Sequence, residues 1–243
     1  MDRNRRRFIE KWKDTVPWAE AFARTGGLMS DGGCLAVDET TGPIVDKVVG
    51  PLLFLKYEDE LDAIEGWLSL EEGRRLAYLA STVPADQAIV ELGSWKGKST
   101  AYLAAGSKFG HRASVFAVDH WVGAPNVQYL FPDPSTTTLP EFLRNMEWQG
   151  HLDIVTPLSG KTAAAGKTWT RPIGLLFIDA AHEYEGVKED FRVWSPFVGV
   201  GGWVAFHDSG APGPRQVIHE EILGRAAWGE LSAHSPFAAR RME

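Results

Sequence analysis

Two carboxylates and a histidine stand where apolar segments end in the C-terminal half of the chain. Asp179 follows the apolar part of "GLLFIDAA" (174–181), and His207–Asp208 end "GGWVAFHD" (201–208). If these segments are neighbouring strands, their carboxylates repel unless a positive group lies between them. Oxygen ligands suit Mg²⁺ or Mn²⁺, whereas the imidazole of His207 suits Mn²⁺, Fe²⁺ or Zn²⁺ better. The pattern predicts a divalent-metal site at Asp179, His207 and Asp208. The alternatives are a site that leaves His207 out, and two acids that cap helices or bond to loops without metal.

A glycine-containing turn follows another apolar segment, "AIVEL" (88–92). Its residues are Glu91, Gly93 and Gly97, spaced E-x-G-x-x-x-G. A turn from a strand into a helix exposes free N–H groups with partial positive charge, and glycines let a ligand approach the backbone closely. The spacing differs from G-x-G-x-x-G, which disfavours a dinucleotide and a nicotinamide-dependent oxidoreductase. A glycine-tolerant turn without a ligand is the alternative.

A third candidate, Asp119, ends the segment "ASVFAVD" (113–119). A carboxylate at the tip of a second parallel strand is placed to accept hydrogen bonds from both ribose hydroxyls of a nucleoside. Ser159, in "PLSGKT" (157–162), would then lie near the base. The alternatives are a helix N-cap for Asp119 and an ordinary turn for Ser159 with Gly160.

These residues need a sheet whose strands end at one edge, and the chain alternates between strand and helix patterns. Strands are predicted at 87–93, 113–119, 152–160, 174–181 and 201–208, and helices at 69–82, 98–110, 139–150 and 184–198. Ser69 and Glu72 have the spacing of an N-terminal capping box. Near-continuous apolar strands separated by helices indicate a mostly parallel α/β sheet with helices on both faces.

The N-terminal quarter does not follow this pattern. Residues 4–24 have helical spacing with an interruption at Pro17, and residues 30–50 are rich in Gly, Asp and Thr. We predict a helical N-terminal extension over 1–60, as a substrate lid or a subunit contact in a homo-oligomer, and one domain over 61–243. The long connection 120–138 is typical of a functional loop.

From about Gly66 to Asp208 the sequence resembles the class I methyltransferases that use S-adenosylmethionine. The similarity lies in "GWLSLEEGRRLAYLA", "IVELGSWKGKSTAYLA", "VFAVDHW", "FIDAAHEYEGVKEDFRVWSPFV" and "GGWVAFHD". The branch it resembles holds macrocin-type sugar O-methyltransferases and cephalosporin-hydroxylase-like proteins. The resemblance implies a Rossmann-like sheet of seven strands. It places Gly93 and Gly97 near the methionine part of the cofactor, Asp119 at the ribose and Ser159 beside the adenine. The predicted cofactor-binding set is Glu91, Gly93, Ser94, Gly97, Ser99, Asp119, His120, Ser159 and Asp179.

The resemblance also implies a reaction. In metal-using members, acidic or amide residues at the positions of Asp179, His207 and Asp208 hold the ion, so His207 departs from the family pattern. His182 would act as the general base that deprotonates an acceptor hydroxyl. The expected function is O-methylation of a small molecule, such as a sugar-bearing natural product or another vicinal diol. The alternatives are a metal-dependent hydroxylase-like enzyme and a non-catalytic protein that binds S-adenosylmethionine.

Composition limits the partners and the cellular location that the sequence predicts. The net charge of −7 disfavours a large nucleic-acid interface. Cys34 is the only cysteine, so no intramolecular disulfide can form. The charged first residues lack a following apolar stretch, which argues against a signal peptide, and no apolar run is long enough for a membrane span. A reducing, cytoplasmic location is the resulting prediction.

Overall fold

The computed structural model of the chain describes residues 58–123, 136–232 and 235–243. The elements in chain order are α1 (Glu58–Asp62), α2 (Leu70–Ser81), β1 (Ala88–Leu92), α3 (Lys98–Phe109), β2 (Ser114–Asp119), α4 (Leu139–Trp148), β3 (Val155–Ser159), α5 (Thr162–Gly166), β4 (Ile173–Ile178), α6 (Tyr184–Trp194), a 3₁₀ helix (Ser195–Phe197), β5 (Val198–Phe206), α7 (Pro212–Glu221), β6 (Trp228–Ser232) and β7 (Phe237–Arg241).

The strands form one seven-stranded sheet in the order β3-β2-β1-β4-β5-β7-β6. Strands β1 to β5 are parallel, whereas β7 runs antiparallel to β5 and to β6. Ile178 pairs with Phe206 at the C-terminal ends of β4 and β5. Asp179 and His207, the next residues in the chain, therefore lie at neighbouring strand ends. The Rossmann-like, seven-stranded fold is confirmed, and the prediction that the Asp179 and Asp208 strands are neighbours is correct.

Alternating side chains divide the core between the two faces of the sheet. Ile89 and Leu175 belong to the apolar cluster shared with α2, α3 and α4. Val90 and Leu176 belong to the cluster shared with α6 and α7. Both faces are therefore covered by helices, which is why the parallel strands read as continuous apolar runs.

Helix α2 begins with the predicted capping box. Ser69 is the N-cap, its side chain accepts from the Glu72 backbone N–H, and the Glu72 carboxylate accepts from the Ser69 backbone N–H. This arrangement satisfies two backbone donors that a helix otherwise leaves without partners.

The structure differs from the sequence expectations mainly at the sheet edges. Strand β3 begins at Val155 rather than 152, because residues 152–154 form a turn. Strands β6 and β7 had no sequence signal of their own. Residues 1–57, which hold most of the predicted extension, and 124–135 of the predicted functional loop lie outside the described ranges. Among the described residues, no helix has the length and apolar character that crossing a membrane requires.

Candidate active site

One cavity of about 800 Å³ opens at the C-terminal edge of the parallel strands. Its volume falls within the range of about 300–1,000 Å³ that is usual for small-molecule sites. The predicted site residues in its wall are Gly93, Ser94, Ser99, Asp119, His120, Asp179, His182, His207 and Asp208. We call the part formed by residues 93–95, 98 and 99 with Asp119 the glycine-turn end. The part formed by Asp179, His182, His207 and Asp208 is the acidic end.

Gly93 lies where the ends of β1 and β4 meet. Its φ is +86°. A Cβ atom there would lie 2.5 Å from the Asp179 carbonyl oxygen and 2.7 Å from Ala180 Cα. Since neither backbone atom can move without disturbing the sheet, only glycine fits this position. The close packing of the two strand ends brings the turn and Asp179 into the same cavity wall.

Gly97 has a different role. It precedes α3 with a φ of +91°, and a Cβ there would lie 2.8 Å from Met146 Cε and 2.9 Å from Phe142 Cδ2. It is absent from the cavity wall. The sequence placed this glycine near the ligand, but the structure indicates that close packing of the turn against α4 requires it.

Asp119 organises the glycine turn. One carboxylate oxygen, Oδ2, accepts the backbone N–H groups of Ser94 and Trp95, both at 2.9 Å, and Oδ1 accepts that of Trp121 at 2.6 Å. A carboxylate has about four acceptor positions. One remains for a ligand hydroxyl, and Asp119 lies in the cavity wall as a ribose-binding residue must.

Glu91 lies beneath the turn rather than in the cavity wall. It is fully buried, and Thr100 Oγ1 donates a hydrogen bond to its Oε2. Burial raises the pKa of Glu91 to about 7, although the bonds from Ser99, Thr100 and Ser94 oppose the shift. Glu91 was predicted to bind the cofactor, and the structure instead favours a supporting role below the turn.

The far side of the glycine-turn end is formed by Gly160, Lys161 and Thr162, which follow β3. Ser159 was predicted to border the adenine, but it lies outside the cavity wall, and its Oγ accepts from Trp121 Nε1 at 3.0 Å. Asp190 of α6 lies in the wall and is almost fully buried, and burial raises its pKa to about 6. Sequence reasoning missed Asp190 because it belongs to the middle of an amphipathic helix.

At the acidic end, three side chains could share one ion. His182 Nε2 lies 2.8 Å from Asp208 Oδ2. One ligand atom from each of Asp179, His182 and Asp208 lies within 4.8 Å of the others. Two carboxylates with one imidazole fit a divalent cation, and this donor set suits Mn²⁺, Fe²⁺ or Zn²⁺ better than Mg²⁺.

His207, predicted as a metal ligand, lies beside that set rather than within it. Only 7% of its side chain is exposed, and its Nδ1 lies 3.1 Å from Asp179 Oδ1 and 3.4 Å from Asp208 Oδ2. Its Nε2 faces Glu72 Oε1 at 3.5 Å. These contacts are ion pairs rather than well-aligned hydrogen bonds.

The charge of His207 follows from these partners. Burial pulls the pKa of His207 down, but the contacts with Asp179 and Glu72 outweigh it and raise the pKa to about 11. Ionised carboxylates only accept hydrogen bonds, so these partners favour the ring with a proton on both nitrogens. Burial also raises the pKa of Asp179, against the lowering effect of His207 and His182.

Aromatic side chains form part of the cavity rim. Trp67 is 60% exposed, and its ring lies 5.4 Å from that of Trp95, measured between centroids. Trp95 has a φ of +48°, a conformation that few non-glycine residues adopt. From the sequence, Trp95 could either line the pocket or pack in the core; in the structure it lines the cavity.

Comparisons with known proteins agree with this fold. The family described as "Methyltransferase domain" matches residues 90–209, which run from within β1 to just past β5 and include both ends of the cavity. Among solved structures, the chain is similar to the O-methyltransferase NovP, with a TM-score of 0.55 and 18% identity over 77% of this chain and 80% of that one.

Two further structures share the fold. The O-methyltransferase TomG from Streptomyces achromogenes, involved in tomaymycin synthesis and solved in complex with SAM, aligns with a TM-score of 0.54 and 18% identity over 77% of this chain and 87% of that one. The calicheamicin methyltransferase CalS11 aligns with a TM-score of 0.53 and 16% identity over 87% of this chain and 99% of that one.

Proposed function

We propose that the chain, an S-adenosylmethionine-dependent methyltransferase of the class I fold, methylates a hydroxyl group of a small-molecule acceptor. The observation that carries the proposal is the His182–Asp208 pair at the acidic end, 2.8 Å apart and facing the cavity. A hydroxyl must lose its proton as it is methylated, and an imidazole held by a carboxylate is suited to accept that proton.

The glycine-turn end would bind the methyl donor. S-adenosylmethionine supplies a methyl group already activated on a sulfonium, so the protein has mainly to align it with the acceptor. We assign the ribose to Asp119, which can accept from one of its hydroxyls, with His120 beside it. The methionine part is assigned to the wall at Gly93, Ser94 and Ser99.

At the acidic end, His182 is the proposed base. Asp208 accepts the Nε2–H of His182, which fixes the tautomer and leaves the lone pair on Nδ1. Asp179 lies beside them at the β4 tip, where it can accept a hydrogen bond from the acceptor and so orient it.

A divalent metal is a second part of the proposal. Asp179, His182 and Asp208 would hold it, and its chemistry would be to lower the pKa of the acceptor hydroxyl. The two uses of His182 exclude each other at any one moment, because a nitrogen lone pair cannot bind both a proton and a metal. Removing metal therefore distinguishes them.

The acceptor class rests on similarity. The similar structures NovP and TomG are described as O-methyltransferases, and CalS11 is also described as a TDP-rhamnose 3'-O-methyltransferase. Hydroxyls of sugars and of sugar-bearing natural products are therefore the first acceptors to try. The cytoplasmic location and the homo-oligomer stay predictions.

The test is methyl transfer from labelled S-adenosylmethionine to a panel of hydroxyl acceptors, with products identified by mass. We expect a product heavier by one CH₂ group; a gain of one oxygen would support the hydroxylase-like alternative. His182→Gln should lower kcat by about 10²- to 10⁴-fold and leave donor affinity unchanged. His219→Gln, an exposed histidine on α7, is the matched control and should behave as wild type.

EDTA treatment completes the experiment. If His182 acts as the base without metal, the treated enzyme keeps its activity. If metal assists, activity falls and returns with Mn²⁺ more fully than with Mg²⁺. Full activity of His182→Gln, with or without metal, would exclude both roles of His182.

A further inference from the structure

Glu72, which the sequence identifies only as part of a helix cap, reaches the acidic end through His207. We propose that Glu72 is a positioning residue of the methyl-transfer reaction: it fixes the His207 ring so that Nδ1 faces Asp179. The inference rests on the proposed function, in which Asp179 orients the acceptor.

The Glu72 carboxylate is itself firmly anchored. Its Oε2 accepts from the Ser69 backbone N–H at 2.8 Å and from Ser69 Oγ at 2.7 Å. Its Oε1 accepts from Ser235 Oγ and faces His207. Only 15% of the side chain is exposed. A carboxylate with both oxygens engaged and little freedom is a stable support for a neighbouring ring.

His207 transmits this support to the cavity. Its two nitrogens face carboxylates on opposite sides, Glu72 at 3.5 Å and Asp179 at 3.1 Å, while Phe177 packs against the ring at a centroid distance of 6.3 Å. The edge-to-face contact with Phe177 limits tilting of the ring, and its rotation is set by Glu72 on one side and by Asp179 and Asp208 on the other. Without Glu72, the ring would lose the partner that keeps Nδ1 directed at Asp179.

A purely structural role for Glu72 makes a different prediction. The capping box contributes about 1 kcal/mol to helix stability, and its third residue can be Glu or Gln. Glu72→Gln therefore keeps the cap and its size but removes the carboxylate that faces His207. A structural residue would show no kinetic effect of this change, whereas a positioning residue would.

The experiment compares Glu72→Gln with Glu71→Gln. Glu71 is the preceding residue; its side chain is mostly exposed and pairs with the buried Arg75 of the same helix. We expect Glu72→Gln to lower kcat by about 10- to 100-fold with little change in donor Kd or acceptor KM, because a misaligned acceptor affects the transition state most. Glu71→Gln should match wild type, and Glu72→Asp should recover part of the loss.

A double-mutant cycle tests the connection through His207. If Glu72 acts through the ring, Glu72→Gln should cause no further loss of kcat in a His207→Gln background. Additive losses, or wild-type kcat in Glu72→Gln, would overturn the inference while leaving the proposed function intact.

If wild type methylates no acceptor, the proposed function fails, and imidazole ¹⁵N NMR still tests the contact. Glu72→Gln should shift the His207 nitrogen signals and Glu71→Gln should not. Unshifted His207 signals in Glu72→Gln would overturn the inference by themselves.

Discussion

The two ends of the cavity satisfy their polar groups in different ways. At the glycine-turn end, backbone N–H groups from Ser94, Trp95 and Trp121 occupy most of the Asp119 carboxylate. At the acidic end, the charged side chains of Asp179, His182, His207 and Asp208 interact mainly with one another. The first end is fixed by backbone geometry, whereas the second is a balance among side chains. Changes at the first should therefore affect binding and stability, and changes at the second should affect turnover.

Of the changes that test this comparison, Asp119→Ala is expected to have the largest effect. Asp119→Ala leaves three backbone donors without their charged acceptor, and such hydrogen bonds contribute about 1.5–3 kcal/mol each. We expect the Kd for S-adenosylhomocysteine to rise by about 100-fold or more, measured by calorimetry. The Kd of Asp119→Asn, which keeps one acceptor oxygen, should lie between those of Asp119→Ala and wild type. Unchanged affinity in Asp119→Ala would remove its ribose role.

A smaller effect is expected from Glu91, and it depends on pH. Burial raises its pKa from 4.5 to about 7, so the folded protein keeps a proton that the unfolded chain releases. The contribution of Glu91 to the free energy of unfolding should therefore fall between pH 4.5 and 7, by up to about 3 kcal/mol.

Glu91→Gln should remove this contribution and change the pH slope accordingly, since an amide does not titrate. Urea unfolding at several pH values measures it. Equal slopes in the variant and wild type would show that the buried carboxyl does not carry a raised pKa. Because Glu91 lies outside the cavity wall, donor affinity at pH 5 should change little, which separates support of the turn from contact with the ligand.

The smallest of the three effects is expected at Gly97. Gly97→Ala places a Cβ against Met146 and Phe142 in a left-handed conformation, which should cost about 2 kcal/mol of unfolding free energy. The kcat of the folded fraction should stay near wild type because Gly97 lies outside the cavity wall. A loss of kcat without a loss of stability would show that the second glycine contacts the ligand after all.

Much of the fold could be predicted from the sequence because its signals are local. The core strands are short apolar runs, and the capping residues and turn glycines lie within a few positions of the element they begin or end. Strands β6 and β7 were not located from the sequence, because "WGELS" and "FAARR" mix polar and apolar residues at the edge of the sheet. Their pairing depends on β5, which precedes them in the chain and which no local pattern connects to them.

The sequence by itself determined which strand tips bear the acids and the histidines, because strand ends follow from local hydrophobic pattern. Only the tertiary structure decided what each side chain meets. Packing directed His207 inward toward Glu72, turned His182 toward Asp208, and placed Glu91 below the turn rather than in the cavity. These partners come from elements far apart in the chain, and a contact between distant segments has no signature in the spacing of residues along it.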